Sequence, residues 1–234
     1  MTVNLRRRSG EVVEDCEWDA AAVGLLGSAV PWRTFRWYKG QKHYSGTYWS
    51  ATTQSHVIYE SRLELTRLLA ADFDPCVLDV RAQPFLLKTV LDGRARTHIP
   101  DFLLITAEGP VIVDVKPRRR LSQPEVALTF EWTRDAVVSR GWQYEVWTEP
   151  PEVESENIRF LAGYRRDWLF NRDLLDELRE AEFDGVSLGE AAHSLTSWPE
   201  PYVRAALHHL LWTHELLADI SQPLNSRTVL RQAA

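Results

Sequence analysis

The sequence predicts an α/β fold: a mixed sheet flanked by helices, followed by a small, mainly helical C-terminal domain. Three observations carry this. Short apolar runs of strand length crowd residues 77–116. Two stretches without internal glycine, 59–72 and 123–140, read as helices on either side of that block. After Glu149-Pro150-Pro151-Glu152 the strand pattern stops and leucines return at helical spacing.

Taken in order, the first 30 residues are weakly patterned and Pro31 starts a new segment. Residues 32–58 mix aromatic rings with Arg33, Arg36, Lys39 and Lys42, and Gly40 and Gly46 mark turns between short strands. The helix over 59–72 stops at Asp74-Pro75, because the residue before proline is pushed out of the helical region. Residues 77–80 and 84–90 read as extended, and Asp92-Gly93 is a hairpin turn. Strands at 95–106 and 111–116 flank Glu108-Gly109. Ser122-Gln123-Pro124-Glu125 reads as a capping box opening the 123–140 helix, which Gly141 stops before a strand at 142–148. Further on, Leu174, Leu175, Leu178 and Ala181 share a helix face. Ser187 and Ser197 open two more helices, the second running to Trp212. Pairing of 214–220 with 227–230 would add a two-stranded wing, making this region winged-helix-like. The expected divisions are a lead-in at 1–57, a core at 58–150, a linker at 151–165 and the C-terminal domain at 166–234.

Composition narrows the class. At 44% hydrophobic and 26% charged, with no apolar run of membrane-spanning length and no signal sequence, the chain reads as a soluble cytoplasmic protein. Cys16 and Cys76 form no zinc pattern and are expected as reduced thiols. The net charge of −6 is uneven: +2 over 1–57, −2 over 58–150 and −6 over 151–234. Local basic clusters at Arg6–Arg8, 33–42 and Arg118–Arg120 can therefore neutralise phosphates although the whole chain is acidic.

The chemistry concentrates in HIPDFLLITAEGPVIVDVKPRRR, residues 98–120. Alternation along a strand puts Asp114 and Lys116 on one face, about 7 Å apart, with Val113 and Val115 on the other. A turn at 107–110 lets two strands pair antiparallel and brings Asp101 towards Asp114. Two carboxylates held close repel, and a hard cation with oxygen ligands relieves them. A lysine at the edge of such a site can stabilise charge on a phosphate. A surface ion pair between Asp114 and Lys116 on an edge strand is the plain alternative. A third carboxylate is expected from the preceding helix: Glu64, with Glu60 one turn earlier as the reserve.

Pro100-Asp101 followed by Asp114-Val115-Lys116 is the pattern of the PD-(D/E)xK nucleases of the restriction-endonuclease-like superfamily. HVIYESRLELTRLLAADFDPCVLDVRAQPFLL, IPDFLL and IVDVKP together resemble the TnsA-type endonuclease subunits of heteromeric transposases. The resemblance covers roughly 31–195 and is clearest over 56–117. It implies a restriction-endonuclease-like sheet in which Glu64, Asp101 and Asp114 hold Mg²⁺ (or Mn²⁺), Lys116 is the catalytic lysine and Gln83 supports the site. Some family members carry glutamine at the position of Asp114. The resemblance further implies a bacterial enzyme that hydrolyses the 5′ strand at transposon ends. A DDE-type transposase then handles the 3′ ends, and an AAA+ ATPase is the regulator. Lys39, Lys42, Arg118, Arg119 and Arg120 are the expected DNA contacts. The helix at 199–212 holds one arginine in acidic surroundings and is read as a protein-docking element ahead of DNA readout. The alternatives are a free-standing restriction or repair nuclease of the same superfamily and a non-catalytic DNA-binding adaptor.

Overall fold

The computed structural model describes residues 1–33 and 44–233; Lys39 and Lys42 lie outside the described residues. The chain divides into two compact units, Met1–Asp72 with Cys76–Glu149, and Phe73–Pro75 with Pro150–Ala234. Among the described residues no helix is long and apolar enough to cross a membrane.

In the first unit the elements run β1 (Thr2–Arg6), β2 (Val12–Glu17), α1 (Val23–Gly27), β3 (Gly46–Ser50), β4 (Ser55–Tyr59) and α2 (Arg62–Phe73). Then follow β5 (Val77–Ala82), β6 (Leu86–Leu91), β7 (Arg94–His98), β8 (Phe102–Thr106), β9 (Gly109–Val115), α3 (Pro124–Val138) and β10 (Gln143–Trp147). One sheet has the order β2-β1-β6-β7 and is antiparallel. The other, β10-β9-β8-β5, is mixed: β5, β8 and β9 pair antiparallel, and β10 joins β9 in parallel after the α3 crossover. Val3 and Leu5 of β1, Leu87 of β6, Leu103 of β8, Ile112 of β9 and Trp132 and Val137 of α3 share one core, so both sheets and α3 are joined through it.

Several expectations change here. The weakly patterned N-terminus is a β-hairpin, hidden because its polar Asn4 is itself buried and accepts the amide of Asp15 at 2.9 Å. The 95–106 strand is two strands in different sheets, divided at Pro100, which has no amide to donate to a ladder. The Ser122 capping box does not form. Pro124 takes the first helical position, so Gln123 is the N-cap, and its side chain makes no capping bond. The Asp92-Gly93 turn stands as expected, with φ of 50° and 72°, both in the left-handed region that twists with the strands.

Asp72, near the end of α2, is buried and accepts four bonds from the β3–β4 hairpin. They come from Tyr48 Oη and Ser50 Oγ, both at 2.6 Å, and from the amides of Ala51 at 3.0 Å and Thr52 at 2.8 Å. This carboxylate anchors the hairpin to the helix that presents Glu64. Asp72→Ala removes all four bonds and is expected to cost about 3 kcal/mol in urea denaturation.

In the second unit α4 (Glu152–Leu161), α5 (Arg172–Glu180), α6 (Leu188–Ser194) and α7 (Glu200–Trp212) precede β11 (Leu216–Leu217) and β12 (Arg231–Gln232). Most of the expected linker at 151–165 is thus helix. Glu152 and Glu154 sit at its positive end and Arg159 at its negative end, and Ile158 and Leu161 are buried. Ser187 forms a complete capping box with Glu190. The wing expected from 214–220 with 227–230 is not what forms. The amides of Leu188 and Gly189 donate to the carbonyls of Thr228 and Ser226 at 2.7 and 2.8 Å, and Leu230 donates to Val186 at 2.8 Å. The segment 226–230 is therefore spent on the start of α6, and the β11–β12 ladder is only two residues long. Gly189 permits this approach: a Cβ there would lie 2.9 Å from the Ser226 carbonyl oxygen.

Candidate active site

The β8–β9 register pairs Phe102 with Val113, so the next position outward sets Asp101 opposite Asp114. Two further bonds pin Asp101 at the strand end. Its Oδ2 accepts the Val115 amide at 2.7 Å, and its carbonyl accepts the Gln83 amide at 2.8 Å. Asp114 is 1% exposed, between Val113 at 0% and Val115 at 7%. Asp114 is thus no more open than the two valines beside it, although alternation sets it on the other face. β9 is an interior strand with β8 and β10 on its flanks, and both its faces are covered. This removes the edge-strand alternative. Among the described residues Asp114 is paired with His98, and Lys116 forms no ion pair.

Asp114 and Glu64 reach this strand end from different sides. Parallel pairing puts Glu145 beside Val113 and Trp147 beside Val115. Arg67 of α2 bonds Glu145 at 2.7 Å and lies 4.8 Å over the Trp147 ring, so α2 packs on the Val113–Val115 face. Asp114 points to the opposite face, that of Ile112. Glu64 is buried on α2, with Oε2 accepting the Glu60 amide at 2.7 Å and Oε1 accepting Ser61 Oγ at 2.8 Å. Its own amide donates back to Ser61 Oγ at 3.1 Å. Glu64 thus also caps its helix. Glu60 instead accepts from Gln83 Nε2 at 2.8 Å. Gln83 holds a left-handed φ of 47°, and its Oε1 accepts the Arg33 amide at 3.2 Å.

Electrostatics ties the set together. Burial, then the charges of Asp114 and Glu64, hold the Asp101 carboxyl well above the ordinary aspartate value, against the pull of the Val115 amide and Lys116. Burial also raises Glu64; its bonds to Glu60 and Ser61 and the nearby Lys116 oppose this. Asp101 is therefore where the two carboxylates meet electrostatically, with Lys116 as the compensating charge. Among the described residues no three His, Cys, Asp or Glu side chains are gathered as a cation-holding group. The donor set nevertheless fits Mg²⁺, which is commonly held by one or two carboxylates with water and substrate phosphate completing its shell. Asp101 and Asp114 offer two such oxygen donors, opposed across the ladder.

The Arg118–Arg120 triplet forms an exposed 3-10 turn directly after β9 and Pro117. The Arg118 amide donates to Glu149 Oε2 at 2.9 Å, which fixes the turn and leaves three guanidinium groups at the surface.

Two side chains at the site escaped the sequence reading. His98 Nε2 lies 2.8 and 2.9 Å from the two Asp114 oxygens, and Tyr144 Oη donates to Oδ2 at 2.5 Å. Burial and the Asp114 charge push the Tyr144 phenol far above its usual value, so it stays protonated and donating. The one signal for His98 was its place three residues before Asp101. Tyr144 gave none, because its approach depends on the parallel pairing of β9 with β10.

No curated protein matches the chain. Residues 74–149 match the family model described as TnsA-like endonuclease N terminal. The matched segment contains Gln83, Asp101, Asp114, Lys116 and the arginine triplet, and leaves out Glu64 and Glu60. Over the residues that pair Asp101 with Asp114 and lead from β9 into Lys116, the chain is therefore similar to the TnsA-like endonuclease N-terminal domain, the family its motifs resemble.

Proposed function

We propose that this chain is the metal-dependent DNA endonuclease subunit of a heteromeric transposase, cutting the 5′ strand at transposon ends. The observation that carries the proposal is the opposition of Asp101 and Asp114 beside Lys116 inside the TnsA-like segment. The mixed β5–β10 sheet is compatible with a restriction-endonuclease-like core. A bound Mg²⁺, or Mn²⁺ in its place, supplies charge neutralisation and an acidified water. Asp101 and Asp114 would hold it, with Glu64 facing Asp101 from the α2 side. Lys116 stabilises negative charge growing on the scissile phosphate. Arg118, Arg119 and Arg120 grip the neighbouring phosphates, and Lys39 and Lys42 add contacts from the lead-in. A DDE-type transposase cutting the 3′ strand is the partner, an AAA+ ATPase the regulator, and the acidic C-terminal unit their docking module.

The test is strand-resolved cleavage of end-labelled transposon-end DNA with Mg²⁺, with and without the partner transposase. The proposal expects a 5′-strand cut that needs this chain and the metal. Cleavage of unrelated DNA by the chain alone would favour a free-standing nuclease. Loss of DNA cleavage should not follow from losing one arginine of the triplet. Each Arg→Ala change there should weaken DNA binding evenly across sequences and lower the salt slope by about 1, measured by titration at several salt concentrations.

A further inference from the structure

We propose that His98 and Tyr144 are positioning residues for Asp114, holding the plane of its carboxylate so that its free lone pairs face Asp101. This inference rests on the nuclease reading of the same site and names residues that reading does not use.

An aspartate carboxylate normally rotates broadly about its last torsion. Here both oxygens are engaged: Nε2 of His98 bridges them at 2.8 and 2.9 Å, and the Tyr144 hydroxyl bonds Oδ2 at 2.5 Å. A carboxylate only accepts, so Nε2 carries the hydrogen. The two donors come from separate sheets, His98 from the end of β7 and Tyr144 from β10, and they close on a group that is 1% exposed. The donors are themselves braced by α3. Phe130 packs edge-on against both rings, at 6.4 Å from His98 and 6.4 Å from Tyr144. Trp132 meets His98 edge-on at 6.1 Å, and the Arg134 guanidinium lies 5.4 Å over Tyr144. These donors engage both oxygens, Oδ2 twice, and leave the rest of the roughly four lone-pair sites of the carboxylate for a cation. Outer residues of this kind orient the ligand that touches the metal, and their loss weakens metal binding more than it disturbs the fold.

The experiment is calorimetric titration of the DNA-free full chain with Mn²⁺, for wild type, His98→Ala, His98→Gln and Tyr144→Phe, with thermal melts recorded without metal. Gln keeps a donor near the position of Nε2, and Phe keeps the ring while removing the hydroxyl. His98→Ala and Tyr144→Phe are expected to bind Mn²⁺ about 10–100-fold more weakly, and His98→Gln to recover most of that loss. Raising Mg²⁺ should restore much of the DNA cleavage by the two weakened variants, which a purely structural role would not allow. Unchanged Mn²⁺ affinity in folded His98→Ala and Tyr144→Phe overturns this inference while leaving the nuclease reading intact. A wild type that binds no divalent cation and cuts no DNA overturns both.

Discussion

Lys116→Ala is expected to slow 5′-strand cleavage by about 10²–10³-fold, the usual cost of removing one preorganised charge from a site where anionic charge develops. The variant should fold as well as wild type. Lys116 is half-buried and forms no ion pair among the described residues, so its removal orphans no partner. Its charge instead favours the ionised forms of Glu64 and Asp101. Asp114→Ala should abolish the same cut but damage the protein as well. It strands the half-buried donors of His98 and Tyr144, at a cost of about 1–3 kcal/mol. The two variants together separate chemistry from folding. In both, the partner transposase should still cut the 3′ strand, read on the same labelled DNA.

Asp101→Asn is expected to abolish cleavage and yet raise the melting temperature of the metal-free protein at pH 8, by about 2–4 °C for each kcal/mol gained. Its carboxyl is held above the ordinary value by burial and by two like charges, so the folded state binds its proton more tightly than the unfolded chain. The stability linked to that proton is fully present below the ordinary carboxylate range. It is lost as pH rises through the raised value, and the Asp101 carboxylate then destabilises the metal-free fold. The asparagine variant lacks this loss, so its advantage over wild type should grow from pH 5 to pH 8. The same proton must leave before a cation binds, so metal affinity should rise over that interval and each binding event should release protons. Melts and metal titrations in buffers of different ionisation enthalpy measure both effects.

What the sequence could reveal followed the range of the interactions. The pairing of Asp101 with Asp114 was readable because a short turn at 107–110 sets its own register and alternation does the rest. The Asp92-Gly93 hairpin was readable for the same reason. The capping role of Glu64 also lay in the local pattern Ser61-x-x-Glu64. Nothing local announced that Asp114 would be covered, because its cover comes from β7 in another sheet and from β10 across the α3 crossover. The expected convergence of three carboxylates suffered likewise: whether α2 lies on the Asp114 face or the Val113 face is decided by Arg67 reaching Glu145, 78 residues away. Residues 151–165 looked like a linker because Pro151 and three glutamates mask Ile158 and Leu161, the apolar positions that bury the helix. The wing was misplaced because a backbone approach through Gly189 outcompeted the hairpin that composition favoured.

If Asp101 and Asp114 hold a divalent cation between them for DNA cleavage, the ion should be visible there. Anomalous diffraction from crystals grown with Mn²⁺ tests it most directly. The expected result is a manganese peak shared by the Asp101 and Asp114 carboxylates, absent in Asp101→Asn, with Lys116 beside it. A peak elsewhere on the chain, or none in a protein that still cuts DNA in Mn²⁺, would contradict it.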